Sequence, residues 1–516
     1  MMIHHFLSSS AQKSPDAPLV IHKSERASYG DLERASNQIA RLLLDGGLKR
    51  GDRLGLLQPN SIGYVASYYG ALKAGAVVVP LHAATDARAL RRLLGDCEAT
   101  GLIAAAGALE RIEKASEELP LLRLVVLPRA EAEAIRLPAH IRRLPRERAG
   151  ELPGDSAPAV TGIDLDRAMI IYTSGSTGRP RGAVLSHLNI VANTRSILQY
   201  LELTAEDRVL QLLPFPYVYG KSLLNTHVAV GGALVIHDSL VFPDTALDAM
   251  EREGVTGLSG VPSTFAMLLN RSSLARRRIP SLRYVTQAGG GMPRPHLARL
   301  IEALPGVRIF VMYGATEAGA RLCWLEPEML GRKLGSIGRA IPNVEIVIRR
   351  DDGSEAGAGE TGEIVARGSN IMEGYWGDRD ATEEVLDQHG FHTGDLGYRD
   401  EDGYLWVVGR KREMIKSGAH RVSPREIEEV LLEHPDIEEA AVIGLPDEYL
   451  GETIEAYVTV RPSSSPQPEE IRTFCQDRLV AHKMPHHVHV CPALPRNMSG
   501  KLDKRALRDS ALEARK

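Results

Sequence analysis

The sequence predicts an α/β protein: a large N-terminal domain of several subdomains built on mostly parallel sheets, followed by a small α+β C-terminal domain. Three observations predict it. From Tyr29 to about Val311, short apolar runs bounded by glycine or proline alternate with amphipathic stretches, the pattern of strand–helix–strand units in parallel sheet. Near residue 400 the texture changes to a compact mix of two helices and three strands. The length of 516 residues also allows several domains around a large buried core.

The elements follow in order. AGAVVVPL (74–81), AMIIYTS (168–174), GALVIHD (232–238) and VRIFVMYG (307–314) read as buried strands, because each is a brief apolar run between turn formers. TALDAMEREG and PHLARLIEAL between them read as helices. The stretch 147–166, rich in Gly, Pro and Asp, reads as a surface connection. After it, GAVLS reads as a short strand, and a helix follows with Leu188, Val191, Ala192, Leu198 and Leu201 on one side. In RVSPREIEEVLLEHPDI, Ser423 is expected as N-cap, Pro424 as first helical residue and Glu426 as the partner in a capping box. Ile427, Val430 and Leu431 then form the buried face. AAVIG, EAYVTV and HHVHV read as strands and PEEIRTFCQDRL as a second helix. The charged run GRKRE, 409–413, is the expected boundary, dividing the chain into 1–409 and 410–516.

Composition narrows the function. Hydrophobic residues at 43% and charged residues at 25% are ordinary for a soluble globular protein. A formal charge of −4 gives no reason to expect nucleic acid or an anionic membrane as partner. Cys97, Cys323, Cys475 and Cys491 lie far apart without metal-ligand spacing, as free thiols in a reducing cytoplasm would. The amino terminus has no cationic start before an apolar core and does not read as a secretory signal. The most apolar stretch, 54–81, is broken by Gln58, Pro59, Asn60 and Ser61, so no membrane span is expected.

The run YTSGSTGRPRGAVLSH, Tyr172 to His187, carries the first chemical signal. Gly175, Gly178 and Gly182 leave room for backbone N–H groups to converge on an oxyanion; Thr173, Ser174, Ser176 and Thr177 add hydroxyl donors, and Arg179 and Arg181 add charge. A Walker loop would end in Gly-Lys-Ser/Thr and pass straight into a helix; this one passes into a strand. Small polar residues also make plain surface turns, so the run alone leaves both readings open.

Five further motifs follow in order: YGATE (313–317), GEIVARG with EGYW (362–376), HTGDLGY (392–398), GRKREMIK (409–416) and LPRNMSGKLDKRAL (494–507). With YTSGSTGRPRG, this set resembles the signature of the AMP-forming acyl ligases: acyl-CoA synthetases, peptide-synthetase adenylation domains and luciferase. The resemblance covers nearly the whole chain. It implies two half-reactions, in which a carboxylate attacks the α-phosphate of ATP to give acyl-AMP and pyrophosphate, and a thiol then displaces AMP. It implies that the small domain is mobile, with Arg412 at the hinge. Lys501 would stand between the carboxylate and the α-phosphate, Thr316 would reach the α-phosphate, and Glu317 would contact magnesium. The loop Thr173, Ser174, Gly175, Ser176, Thr177, Gly178 and Arg181 would hold the outer phosphates. Asp395 and Arg410 would bind ribose; Tyr313, Gly314 and Ala315, with Gly289, Gly290 and Gly291, would frame the adenine and the neighbouring acyl pocket.

The chain departs from the family at three places. Arg181 replaces a lysine, keeping charge and gaining a planar fork at the cost of compactness. Arg412 replaces an aspartate or lysine, and Ala419 a glycine beside the thiol channel. In LPFPYVYGKSLLN, Tyr217 stands where many acyl-CoA ligases have histidine, and Val218 where amino-acid activators place aspartate. Without that acid a substrate ammonium would lack a partner, so the expected substrate is an aliphatic or aromatic acid without an α-amino group. Tyr217, Val218, Gly220 and Val261 are the expected acyl-pocket residues; Lys221 is expected to snorkel to the surface, the alternative being that it pairs with a polar group on the substrate. The short stretch 318–335 leaves little space for the insertion of fatty acyl-AMP ligases, and no carrier domain follows Lys516. Expected cofactors are therefore ATP, Mg2+ and coenzyme A, with carrier-protein phosphopantetheine as the alternative acceptor. The expected partners are a small carboxylic acid and CoA or a carrier protein, a homodimer being compatible; nucleic acid and integral membrane are excluded. A non-catalytic nucleotide- or acyl-adenylate-binding protein is the reading from another class.

Overall fold

Strands that are apolar on both faces must be covered on both. The computed structural model, which describes residues 1–173, 180–418, 420–461, 464–496 and 502–515, shows how. Along the strand Arg308–Tyr313, Phe310 and Met312 enter one core while Ile309 and Val311 enter another. The strand Val77–Leu81 divides likewise, Val78 to one side and Val77 and Val79 to the other. The described strands form four sheets, of nine, eight, five and five strands.

The two largest sheets make the body of the chain. In the nine-stranded sheet, Arg308–Tyr313, Tyr284–Gln287, Gly257–Gly260, Arg208–Gln211, Ala233–Ile236 and Pro18–His22 run parallel, with antiparallel strands at both edges. In the eight-stranded sheet the parallel run ends at Arg167–Thr173, which pairs antiparallel with Arg181–Ser186. The helices Tyr29–Asp45, Ile62–Lys73, His187–Leu201 and Val218–Val230 fill the space between the two sheets. Pro243–Glu253, Pro262–Arg271 and Arg294–Ala303 cover the outer face of the nine-stranded sheet, and Ala87–Asp96 and Leu109–Ser116 that of the eight-stranded one. Helices between two sheets are buried nearly all round. His187–Leu201 accordingly buries Ile190, Ile197 and Tyr200 besides the expected Val191 and Leu201. Its start is fixed by a capping box of Ser186 and Asn189.

A third, antiparallel sheet (Val344–Arg349, Gly362–Gly368, Gly390–Arg399, Leu386–Asp387 and Leu405–Arg410) has no counterpart in the sequence reading. Its strands alternate buried and exposed residues, a weaker signal than a continuous apolar run. Leu405–Arg410 ends this sheet and Ile415–Ser417 begins the fourth, which lies in the small domain, so residues 411–414 join the two. There AAVIG and EAYVTV lie within the longer antiparallel strands Ile437–Asp447 and Gly451–Val460. The capping box expected at Ser423 does not form: Ser423 Oγ donates to the Val408 carbonyl at 2.6 Å, and Glu426 pairs with Lys483 at 2.6 Å. Tethering the small domain to the last strand of the large one wins over the local cap. Among the described residues no helix is long and apolar enough to cross a membrane.

Candidate active site

The site forms where the strand Arg308–Tyr313 ends. Gly314 follows, and a β-carbon there would lie 1.9 Å from the Ala320 carbonyl oxygen, so only glycine lets the returning chain pass so close. Ala315 then opens the 3-10 turn Thr316–Ala318, whose Glu317 carbonyl accepts from Met372 N at 2.7 Å. This holds Thr316 and Glu317 at the C-terminal edge of the parallel sheet, where ligands of open α/β sheets bind.

Tyr313 projects from the strand end to the third sheet, and its hydroxyl donates to Asp395 Oδ2 at 2.6 Å. Asp395 lies in register opposite Arg410, whose Nε stands 3.0 Å from Oδ1. Burial raises the Asp395 carboxyl above its ordinary value, while the Arg410 guanidinium opposes that shift. Burial and the neighbouring carboxylate hold the Tyr313 hydroxyl well above its usual range, so it stays a donor. The three residues form one polar unit.

Glu317 has a different partner. Its Oε1 accepts from the Tyr375 hydroxyl at 2.8 Å, and among the described residues no cation pairs with it. Arg181 begins the strand Arg181–Ser186 opposite Thr173, with its guanidinium 5.4 Å from the Tyr375 ring centre and 3.4 Å from Glu384 Oε2. The other Glu384 oxygen takes the Arg412 side chain. Tyr375 belongs to the EGYW motif, which was its signal in the sequence; Glu384 looks like any exposed acid on the short helix Arg379–Val385 and carries none.

Gly289 has φ +84, and the Gly290 carbonyl accepts from Gln287 Nε2 at 2.8 Å. A β-carbon at Gly291 would meet Arg425 Cζ at 3.1 Å, so the small domain reaches this loop through Arg425, a contact without a sequence signal. Pro262, next to Val261, flanks Gly290. Tyr217 caps the helix Val218–Val230, half-buried, its hydroxyl pushed up to about 12 by burial; Val218 is also half-buried. Gly220 packs against the Pro214 carbonyl. Lys221 does not snorkel: it is 2% exposed, donates to the Tyr64 hydroxyl at 2.8 Å and lies 3.8 Å from the Tyr68 ring centre. The helix that carries it runs between two sheets, which leaves no route to water. Ser174, Gly175, Ser176, Thr177, Gly178, Arg179, Ala419 and Lys501 lie outside the described residues.

Comparison with known proteins finds a family and relatives for the chain. Residues 7–376 match the family model described as AMP-binding enzyme, and residues 426–501 the AMP-binding enzyme C-terminal domain. The chain is 32% identical to an indoleacetate–CoA ligase of Aromatoleum aromaticum, covering 100% of this chain and 99% of that one. It is also 32% identical to a feruloyl-CoA synthase of Amycolatopsis, over 96% of each chain. A crystal structure of the anthranilate CoA ligase AuaEII in complex with anthranoyl-AMP superposes with a TM-score of 0.91 at 25% identity, covering 100% of this chain and 98% of that one.

Proposed function

The chain belongs to the AMP-binding enzymes, and from that membership we propose which residues carry each step of its acid–thiol ligase reaction. The enzyme activates a carboxylic acid with ATP to acyl-AMP, releasing pyrophosphate, and passes the acyl group to coenzyme A. The observation that supports the residue assignment is the Tyr313–Asp395–Arg410 unit close in sequence to the Thr316–Glu317 turn, a buried carboxylate suited to ribose and a turn suited to phosphate.

In the first step two anions approach each other, so cations and donors must stand where charge develops. Asp395 accepts from both ribose hydroxyls and Arg410 steadies it; Thr316 donates to the α-phosphate; Arg181, in place of the family's lysine, forks onto the outer phosphates. The main-chain and hydroxyl donors of residues 173–178 cradle those phosphates. Glu317, a carboxylate with one oxygen held by Tyr375 and no ion pair among the described residues, suits a hard divalent cation of the Mg2+ type. When bound with ATP, that ion supplies charge neutralisation at the phosphates. Lys501 is assigned to offset the charge between the acid and the α-phosphate in this step. The small domain, 410–516, then turns about Arg412 so that the GRKREMIK face serves thiol attack. Gly289–Gly291, Tyr217, Val218 and Val261 border the acid. The assignment of CoA as acceptor is supported by the naming of the relatives as CoA ligases.

Exchange of labelled pyrophosphate into ATP across a panel of carboxylic acids, with product analysis in the presence of CoA, tests the reading. Acid-dependent exchange and AMP formation are expected. Release of orthophosphate, or no exchange with any acid, sinks it.

A further inference from the structure

Besides Lys221, a second buried cation has no acid beside it among the described residues. Arg321 is 3% exposed, yet among the described residues it makes no ion pair, and none of the undescribed residues is Asp or Glu. Its donors find only weak or neutral acceptors: Nε reaches Met312 Sδ at 3.3 Å and Nη1 the Ala320 carbonyl at 3.2 Å. Its plane lies 4.1 Å from the centre of the Tyr219 ring. Arginine is almost never fully buried without a partner, because removing its charge from water costs several kcal/mol (roughly) unless an anion repays it. One cation–π contact, about 2 kcal/mol when desolvated, does not offset that cost.

The backbone is built to hold this side chain in place. The Arg321 carbonyl accepts from Asn193 at 2.9 Å and Asn370 at 3.0 Å. The preceding Ala320 has φ +149, a conformation that L-residues rarely adopt and that tends to persist at functional sites. Arg321 also lies four positions beyond the adenylate-side Glu317 and against Tyr219, next to the acid-bordering Val218. On the other side of Tyr219, its hydroxyl stands 2.8 Å from Thr286 Oγ1, which stands 2.7 Å from Ser259 Oγ, a buried hydroxyl chain on the inner face of the nine-stranded sheet. A guanidinium and a row of hydroxyls are poor neighbours for a plain hydrocarbon tail.

We propose that Arg321 receives a second carboxylate at the far end of the acid substrate, so that the enzyme activates dicarboxylic acids at one end while Arg321 holds the other. This rests on the ligase reading above and names its substrate class. The bound carboxylate would accept two parallel N–H bonds from the guanidinium fork, and a substrate ending in methyl would leave the charge unpaired.

Matched pairs test it: succinate, adipate, suberate and 1,4-phenylenediacetate against butyrate, hexanoate, octanoate and 4-methylphenylacetate, in pyrophosphate exchange. For at least one pair the diacid should exceed its monoacid by at least about a hundredfold in kcat/KM, as expected for a site whose buried polar group is otherwise left unpaired. Arg321→Met should abolish that preference while retaining or raising monoacid turnover; Arg321→Lys should keep part of it. Equal or better use of every monoacid by the wild-type enzyme overturns the proposal, whatever the variants do. So does an Arg321→Met enzyme that folds and loses both members of a pair equally. Were no acid turned over at all, the ligase reading would fall, and calorimetric binding of the same pairs would still decide the pocket: no diacid preference overturns the proposal.

Discussion

The Tyr375 hydroxyl donates to the Glu317 carboxylate at 2.8 Å, tying the strand Gly374–Tyr375 to the turn Thr316–Ala318. A hydrogen bond to a charged group contributes about 1.5–3 kcal/mol. Tyr375→Phe is therefore expected to raise the KM for MgATP about tenfold or more and to steepen the dependence on free Mg2+, with the acid's KM little changed. Initial rates over a grid of ATP and Mg2+ concentrations check it; an equal effect on the acid's KM would mean that Tyr375 merely supports the fold.

Asp395→Asn is expected to weaken ATP by about a hundredfold, two charge-assisted bonds to ribose being lost. Because burial raises the Asp395 carboxyl, its ionised form is disfavoured in the folded protein. Stability from this group is then greatest at low pH and falls as pH rises through the raised value. Nucleotide affinity runs the opposite way, declining on acidification at a higher pH than an exposed aspartate would give. Isothermal titration with ATP analogues against pH should show this decline in the wild type and a flat line in the variant.

Lys501→Ala is expected to slow pyrophosphate exchange by about 10²- to 10³-fold, the loss typical of one preorganised contact. Formation of thioester from supplied acyl-AMP and CoA should be spared. Equal loss in both half-reactions would defeat the assignment of different faces of the small domain to the two steps.

Arg181→Lys restores the residue usual in the family. A change of less than tenfold in ATP affinity is expected, since charge is kept and only the fork is lost. A larger weakening would show that the planar group, shared in this structure between the Tyr375 ring and Glu384, is tuned for its task.

Lys221→Met should raise the melting temperature near neutral pH. Burial lowers the Lys221 ammonium well below its usual value, with only a tyrosine hydroxyl and aromatic faces as compensation. Its folded-state value lies below the unfolded one, so stability rises with pH from the former toward about 10.4. That alkaline gain, measured by thermal melts, should be missing from the variant. A variant less stable at every pH would show that the aromatic cage depends on the cation.

What the sequence reveals depends on how local the cause is. The buried strands of the two large sheets were legible because burial on both faces leaves a continuous apolar run, as at Val77–Leu81 and Arg308–Tyr313. The turn Thr316–Ala318 and the Asp395–Arg410 pair lie within recognisable motifs. The capping box at Ser423 was misread because the competing acceptor, the Val408 carbonyl, stands fifteen positions away. Lys221 was misread because a local pattern cannot say that its helix lies between two sheets. Glu384, Arg425 and Arg321 owe their places to contacts over long separations, which no spacing announces.

At Gly314 the end of a sheet strand and the chain leading into Arg321 touch with no space for a methyl group. With the proposed acid contact at Arg321, divergence in acid preference passes through a segment that leans on the strand end at Tyr313 and Gly314. Remodelling residues 320–321 would disturb Tyr313 and its hydrogen-bonded neighbour Asp395 unless the backbone path were preserved. Side-chain exchange at a fixed path is the evolutionary route this contact leaves open.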